Sequence, residues 1–271
     1  SKYKNLSYQT PNTKWFGLFR FPLRFYSLTG TKSGEAPVIY DHLLSEATCA
    51  DMRRSLMNSG YLNAQVTYSS RQNRRPKTTV QYLLHPGKMF VVDSVRVTVQ
   101  DDAIKDILEK HKKETLLVPG INLDASVLDD ERNRIVDLVH RYGYFRFNRD
   151  YVSFVADTAK GSDKVGLRMI VAAESTDEDG TVHAHRQFTI SSINYVLSDK
   201  NGNLPDPAVA SSVENYNGFT LMYPGNSRKP MLRPKIVDIH SFLREGMTYN
   251  SDSISKTYSS LSRLGMLRYT N

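Results

Sequence analysis

The sequence predicts an α+β fold built from tandem modules, each with the order β-α-α-β-β and each formed by a three-stranded sheet covered by two helices. The prediction depends on a glycine followed by bulky apolar residues, which ends a helix-like segment in NSGYLNAQ (58–65), RYGYFRFN (141–148) and RLGMLRYT (263–270). Strand-like hairpin patterns follow the first two of these segments. A spacing of roughly 80 residues or more suits repeated small domains rather than the units of a solenoid.

The second helix of the central module has the clearest pattern. Residues 126–142 carry apolar side chains at helical spacing, namely Leu128, Ile135, Leu138, Val139 and Tyr142. Ser126 is expected to cap this helix, because a serine oxygen accepts hydrogen bonds from the first free amides. Gly143 is expected to end it, since a residue without Cβ adopts the left-handed conformation easily. The bulky residues after this glycine, Tyr144 and Phe145, are expected to begin the next strand and to pack under the helix.

The remaining elements of the central module follow from period and turn signals. KMFVVDSVRVTVQ (88–100) predicts the first strand, and DDAIKDILEKHKK (101–113) predicts the first helix. RFNRDYVSFVAD (146–157) and KVGLRMIVAA (164–173) predict two strands joined by a turn. The central module is therefore assigned to residues 88–175, and we name it module 2.

The flanking modules repeat this order incompletely. Module 1 (1–87) has a second helix at 44–61 and a hairpin at 63–87, and its first strand is expected to be missing. Module 3 (184–271) has a first strand at 186–198 and helices at 233–243 and 251–264, the second with Ile254, Tyr258 and Leu261 as its buried stripe. Its hairpin is expected to be truncated. Short linkers are predicted near 86–89 and 173–186.

Module 3 also carries an insertion at residues 199–232, which is rich in asparagine, proline and glycine. Within it, GFTLMYPG (218–225) predicts one additional strand. The three glycines that end the second helices, Gly60, Gly143 and Gly265, are predicted to be structurally equivalent helix caps.

The composition predicts a folded protein, and the motifs do not predict an enzyme. Hydrophobic residues make up 39% of the chain and charged residues 24%, which suits a soluble protein with buried cores. No apolar run approaches the roughly 20 residues that span a bilayer, and no signal peptide pattern opens the chain. Cys49 is the single cysteine and is expected to be buried. No nucleophile–histidine spacing and no glycine-rich phosphate loop is present, so no catalytic residue is assigned.

A metal site or a cofactor is not predicted either. DEDGTVHAH (177–185) contains carboxylates with His183 and His185, and two histidines separated by one residue share a face in a strand. No third ligand is fixed by spacing, and the segment is interpreted as a loop that leads into a strand.

The ordered series of motifs resembles polypeptide-transport-associated (POTRA) repeats, the periplasmic arm of outer-membrane assembly factors of the BamA/TamA type. The motifs are GYLNAQVTY, HPGKMFVVDSVRV, GYFRFNRDYVSF, FTISSINYV and LREGMTYNSDSISKTYSSLSRLGMLRY. QTPNTKWFGLFRFPLRFYSLTG together with GEAPVIYD is similar to the TamA-like version of Bacteroidetes. The sequence departs from the pattern in the insertion of module 3 and in Met266, which replaces an aromatic residue.

The resemblance implies a module on the periplasmic side of the outer membrane that binds unfolded outer-membrane proteins or a periplasmic assembly partner. It also implies a C-terminal outer-membrane β-barrel in the parent chain. Binding would proceed by addition of a strand to a sheet edge, which needs no cofactor. The strands at 63–69 and 147–154 are the predicted edges, with Val66, Tyr68, Tyr151 and Phe154 as the side chains that contact the client.

Two features favour other partners. The net charge is +8, and RQNRRPK (71–77), which contains Arg74 and Arg75, could contact acidic lipid or nucleic acid. The aromatic segment at 13–30 could face lipid through Trp15, Phe16 and Phe19. A basic nucleic-acid-binding array is therefore one alternative, although nucleic acid is not an expected partner. A purely structural tether that positions a barrel is the other alternative.

Overall fold

The structure is a computed structural model that describes residues 6–7, 38–72, 78–158, 162–198, 211–224 and 232–264. The fold is α+β, which confirms the predicted class. The chain forms two compact units. One comprises Ser1–Asp93, Pro119–Ser126 and Thr158–Val165, and the other comprises Ser94–Val118, Val127–Asp157 and Gly166–Asn271.

Module 1 is described from two short strands onwards. Strand β1 (Leu6–Ser7) pairs antiparallel with β2 (Val38–Ile39), and helix α1 (His42–Asn58) follows. Asp41 caps α1 by accepting a hydrogen bond from the Leu43 amide at 2.9 Å. Strands β3 (Gln65–Gln72) and β4 (Thr78–His85) then form an antiparallel hairpin. Among the described residues, this hairpin is a sheet of two strands.

Module 2 has the predicted order of elements. Its strands and helices are β5 (Val91–Val99), α2 (Asp102–Lys110), α3 (Ala125–Arg141), β6 (Val152–Thr158) and β7 (Lys164–Val171). The strand order in the sheet is β5-β7-β6. Strands β5 and β7 are parallel, because Val91 donates to the Asp163 carbonyl and Gln100 donates to the Val171 carbonyl. The central strand, β7, alternates between buried and more exposed residues.

The helices of module 2 are capped by aspartates. Asp101 accepts hydrogen bonds from the Ala103 and Ile104 amides at the start of α2. Ser126 is not the cap of α3, so that prediction is wrong. Instead Asp124 accepts hydrogen bonds from both the hydroxyl and the amide of Ser126, at 2.7 and 2.8 Å. These bonds hold the pKa of Asp124 below its usual value, as expected for a carboxylate at a helix start.

The predicted linker between modules 2 and 3 is partly ordered. Strands β8 (Ser175–Thr176) and β9 (Val182–His183) form a small antiparallel hairpin there.

Module 3 differs from the prediction in its sheet. Its strands are β10 (Asn194–Val196), β11 (Ser211–Tyr216) and β12 (Phe219–Pro224), so the insertion contributes two strands and the prediction of one is wrong. Strands β11 and β12 are joined at Asn217 and Gly218, which both have positive φ angles. An Asn-Gly pair with this geometry forms the tight turn that suits the twist of a hairpin.

The sheet of module 3 has the order β10-β12-β11, with β10 parallel to β12. This arrangement matches the order β5-β7-β6 of module 2. The hairpin, however, precedes the helices of module 3, whereas it follows the helices of module 2. Two helices, α4 (Pro234–His240) and α5 (Ser251–Ser262), come after the sheet. The buried apolar core of this module consists of Ile193, Phe219, Leu221, Leu232 and Val237.

The predicted buried stripe of α5 is only partly correct. Leu261 is buried, but Ile254 and Tyr258 are largely exposed, and Thr257 occupies the buried position between them. Within the described ranges, no helix of the fold is both long enough and apolar enough to cross a lipid bilayer.

Candidate functional site

The predicted binding residues of module 1 lie on β3. Val66 pairs with Leu84, and Tyr68 pairs with Tyr82 across the hairpin. The Tyr68 ring lies 6.2 Å from the ring of Tyr82 and 6.4 Å from that of His42 at the start of α1. Both Val66 and Tyr68 are half-buried. What β3 offers a partner is therefore mainly its backbone edge.

The predicted binding residues of module 2 are divided between two environments. Tyr151 lies in a 3₁₀ turn (Arg149–Tyr151) before β6, not in the strand. Its ring stacks on Phe147 at 5.4 Å and meets His185 edge-on at 4.6 Å. Tyr151 is therefore half-buried and in contact with rings of its own module, and its role as a client anchor stays a prediction.

Strand β6 forms an edge of its sheet, and among the described residues no strand pairs with its other side. Ala172 donates its amide hydrogen to the Tyr151 carbonyl at 2.8 Å. Because the pairing alternates along an antiparallel ladder, the backbone N–H and C=O groups of residues 151, 153, 155 and 157 face β7. The backbone groups of Phe154 and Ala156 consequently point towards the open edge. At the start of this edge, the carbonyl of Val152 accepts a hydrogen bond from Arg132 Nε at 2.9 Å.

The Phe154 side chain does not point away from the module. It is half-buried, and the Arg132 guanidinium carbon lies 5.2 Å from the centre of its ring. A cation in this position is attracted to the face of the ring. Arg132 thus holds both the first carbonyl of the edge and the ring that lies beneath it.

The glycines predicted to end the second helices take backbone conformations that favour glycine. Gly60 has φ +93° and Gly143 has φ +99°. A Cβ at Gly60 would lie 2.8 Å from the carbonyl oxygen of Leu123, and one at Gly143 would lie 2.6 Å from Cγ2 of Thr248. Both positions therefore combine a positive φ with a close approach. Gly265 lies outside the described residues.

Gly60 and Gly143 each belong to a junction, which is a set of backbone hydrogen bonds at the start of the next module. At the first junction (Gly60, Phe90–Val92 and Gly120–Leu123), the Gly60 carbonyl accepts from Phe90 at 2.9 Å, and the Phe90 carbonyl accepts from Leu123 at 2.9 Å. Val92 donates to Ile121 and accepts from Gly120. The chain entering module 2 is thereby fixed to the end of α1.

The second junction (Gly143, Phe188–Ile190 and Gly246–Tyr249) repeats these four bonds. The Gly143 carbonyl accepts from Phe188 at 2.8 Å, and the Phe188 carbonyl accepts from Tyr249 at 2.8 Å. Ile190 donates to Met247 and accepts from Gly246. The isolated β-bridges Val91–Asn122 and Thr189–Thr248 complete the correspondence.

The loops before the second helices are held by side chains at corresponding helix positions. In module 2, Glu131 is fully buried and accepts from the Leu116 amide at 2.9 Å and the Thr115 hydroxyl at 2.8 Å. In module 3, Thr257 accepts from the Phe242 amide at 2.9 Å. The two positions correspond, because Glu131 and Thr257 each lie seven residues after the residue that precedes their helix, Asp124 and Asn250.

Glu131 is also paired with Arg134, through Nε and Nη2 at 2.8 and 2.7 Å. Burial raises the pKa of Glu131, but the hydrogen bonds from Arg134, Leu116 and Thr115 outweigh it, and the pKa is lowered overall. Glu131 is therefore charged in the folded protein at neutral pH.

The second junction carries a row of aromatic side chains, which we call the aromatic row: Tyr249, Phe145 and Phe188. The Phe145 ring lies edge-on to Tyr249 at 5.0 Å and to Phe188 at 6.1 Å. Phe145 is 56% exposed, so the expectation that it packs under α3 is wrong. Tyr144 and Phe147 are the buried residues of this segment, because the chain turns between them.

The two histidines of the 177–185 segment do not face one site. His183 is exposed and bonds to Asp177 at 2.7 Å, whereas His185 is buried beside Asp101, whose carboxylate accepts from the His185 amide at 2.7 Å. Over the described ranges, no group of three or more His, Cys, Asp or Glu residues is arranged to hold a metal ion. Cys49 is half-buried in α1.

The residues predicted to face lipid cannot be assigned a role from the fold. Five residues lie outside the described part of the chain, namely Trp15, Phe16, Phe19, Arg74 and Arg75.

The candidate site consists of the open edges of β3 and β6 and of the aromatic row.

No protein-family model matches the chain, and no curated protein sequence matches it. Among solved structures, the chain is similar to POTRA domains 3–5 of Haemophilus influenzae BamA (15% identity, 83% of this chain and 71% of that chain covered, TM-score 0.44). It is also similar to Haemophilus ducreyi BamA lacking POTRA domains 1–3 (16%, 50% and 24% covered, TM-score 0.32). A third similar structure is POTRA domains 1–3 of Omp85 from Anabaena (11%, 92% and 80% covered, TM-score 0.26). At these TM-scores the similarity is loose, so the function proposed below rests on the sequence motifs and the geometry of this chain.

Proposed function

We propose that this chain is a POTRA-like arm that binds polypeptides on the periplasmic side of the outer membrane, as part of a factor for outer-membrane protein assembly or translocation. The order of its sequence motifs, which resembles POTRA repeats, supports this assignment. The segments QTPNTKWFGLFRFPLRFYSLTG and GEAPVIYD favour the TamA-like type of Bacteroidetes. Its clients would be unfolded outer-membrane proteins or a periplasmic assembly partner. The modules would correspond to residues 1–87, 88–175 and 184–271.

The observation that carries the proposal is the open edge of β6. The backbone groups of Phe154 and Ala156 point away from β7, and a strand edge of this kind can pair with an extended chain largely regardless of its sequence. Arg132 holds Val152 at the start of the edge, which fixes the position from which pairing would proceed. The edge of β3 in module 1 offers a second surface of the same type.

Crosslinking tests the proposal. A photoreactive residue at Ala156 should capture an unfolded outer-membrane protein, because the client strand would lie against this position. The control is Arg168, whose side chain is exposed but which lies on β7, the central strand, where both backbone edges are already paired. Capture at neither position would contradict the proposal.

A substitution distinguishes backbone pairing from nonspecific binding of unfolded protein. Ala156→Pro removes the outward amide hydrogen of β6 without removing a bond to β7, which edge strands tolerate. Ala156→Ser keeps the amide and serves as the matched control. We expect Ala156→Pro to lose client binding and Ala156→Ser to retain it, with the circular dichroism spectrum of both variants unchanged.

The second candidate function is a structural tether. It is favoured by the two junctions, which fix the start of each following module through backbone hydrogen bonds rather than through a flexible linker. A pure tether would capture no client from Ala156, and its function in cells would be insensitive to Ala156→Pro.

A further inference from the structure

The second junction has an exposed surface that its architecture does not require. Phe145, Phe188 and Tyr249 form the aromatic row, and the equivalent positions of the first junction are Leu62, Phe90 and Leu123. Phe90 and Leu123 are buried, at 5% and 7% exposure. The same backbone frame therefore forms without exposed aromatic rings, which means that the row needs another explanation.

The aromatic row is rigid before anything binds to it. Phe188 and Tyr249 are joined by a backbone hydrogen bond, and both Phe188 and Phe145 donate their amide hydrogens to the Gly143 carbonyl, at 2.8 and 3.0 Å. The rings are also held edge to face. Rigid aromatic side chains lose little conformational entropy on binding, and such residues dominate the energetics of protein interfaces.

A cation borders the aromatic row and has no anionic partner in the described part of the chain. The guanidinium carbon of Arg146 lies 5.4 Å from the centre of the Phe188 ring, and Arg146 is exposed. Arg186, two residues before Phe188, is exposed as well. Across the described ranges, no carboxylate forms a salt bridge with either arginine. The surface is therefore complementary to an anion.

We propose that the aromatic row with Arg146 is a docking site for a polypeptide segment that presents a large apolar side chain directly beside a carboxylate. The apolar side chain would pack on the exposed part of Phe145, and the carboxylate would pair with Arg146. That the occupant is a polypeptide rests on the proposed function. Such a site would give the protein a preference for particular side chains, which backbone pairing at the edge of β6 does not provide.

The test uses the full chain and a short labelled glycine/serine peptide with a phenylalanine followed by an aspartate at its centre. Binding is measured by fluorescence anisotropy. Two control peptides carry either Ala-Asp or Phe-Lys at the same place. We expect the Phe-Asp peptide to bind more tightly than both controls, and equal binding of the three would overturn the proposal.

Variants then locate the site. Phe145→Ala should weaken the Phe-Asp peptide about tenfold, as is typical of an aromatic residue at the centre of an interface. Phe242→Ala is the matched control, because Phe242 is an aromatic residue of similar exposure, 50%, and among the described residues its ring contacts none of the rings of the row. Arg146→Gln should abolish the preference for Phe-Asp over Phe-Lys. Equal losses in Phe145→Ala and Phe242→Ala would contradict the assignment.

Two further measurements separate the possible failures. If Phe145→Ala lowers the hydrogen-exchange protection of the Phe188 amide, the binding measurement is repeated with Phe145→Leu, because leucine keeps an apolar contact at this position. If neither the Phe145 variants nor Arg146→Gln change peptide binding, the row contributes only packing and the docking site is contradicted. Crosslinking at Ala156 reports the proposed function independently, so client capture with no peptide preference would overturn the docking site alone.

Discussion

The two junctions have the same backbone and different side chains. In both, the carbonyl of a glycine accepts a hydrogen bond from a phenylalanine amide, that of Phe90 or Phe188, at the start of the next module. A loop before the second helix of that module adds three further backbone hydrogen bonds. The first junction buries Phe90 and Leu123, whereas the second leaves Phe145 exposed beside half-buried Phe188 and Tyr249. The comparison teaches that glycine and backbone hydrogen bonds define the junction, and that side chains are then free to differ in role.

The largest expected difference between the junctions concerns their phenylalanines. Phe90→Ala should lower the local free energy of opening by about 3–5 kcal/mol, because a buried ring leaves a cavity. Phe188→Ala should lower it by only about 1–2 kcal/mol, because this ring is half-exposed. Hydrogen exchange of the Leu123 and Tyr249 amides, which bond to Phe90 and Phe188, measures the two effects. Equal effects would show that exposure does not separate the junctions.

The glycines give the next largest effect. Gly60→Ala should destabilise the first junction by about 3 kcal/mol, because its new Cβ meets the backbone oxygen of Leu123 and φ is positive. Gly143→Ala should cost about 2 kcal/mol, because its Cβ clashes with a side-chain atom, the Thr248 methyl group, rather than with backbone. Exchange of the Phe90 and Phe188 amides reports each local stability.

Thr248→Ser sharpens this comparison, since serine lacks the methyl group that Gly143→Ala would approach. Combined with Gly143→Ala, it should restore about 1 kcal/mol. Gly60→Ala has no corresponding rescue, because its clash is with main chain. A double variant that is no more stable than Gly143→Ala would show that the positive φ alone determines the loss.

The smallest effect distinguishes the two loops that precede the second helices. Glu131→Gln should destabilise module 2 by about 2 kcal/mol, because it removes the charge that Arg134 faces in a buried site. The folded-state pKa of Glu131 is lowered, so its stabilising contribution is complete above the unfolded value of about 4.3 and is lost as the pH falls through the lower folded value.

Amide chemical shifts measure this difference directly. The Leu116 amide, which bonds to Glu131, should titrate below about pH 4.3, whereas the Phe242 amide, which bonds to Thr257, should not. Glu131→Gln should remove the titration of Leu116. A parallel titration of both amides would contradict the account of the two loops.

Much of the fold was predictable because it depends on local patterns. The helices of module 2 follow apolar periodicity, and its hairpin follows alternation with a turn between the strands. The sequence also contained the signal for the second strand of the module 3 insertion, since Asn217-Gly218 is a strong hairpin signal that the prediction overlooked. Asp124 was available as a helix cap as well, two residues before Ser126.

Other features depend on contacts between residues far apart in the chain. Asp101 bonds to His185, 84 residues away, and Asn250 bonds to the Arg141 carbonyl, 109 residues away. Phe145 was predicted to be buried because aromatic residues after a helix cap usually begin a core strand. Its exposure follows from the path of the chain at the second junction, which no local pattern encodes.

The most direct test of the account is hydrogen exchange of the β6 amides with and without an unfolded outer-membrane protein. The outward amides of Phe154 and Ala156 should become protected when the client is added, because a new strand would accept their hydrogens. Residues 166–170 of β7, whose backbone is already paired, should be unchanged. If the β6 amides exchange at the same rate in both samples, strand addition at this edge is contradicted.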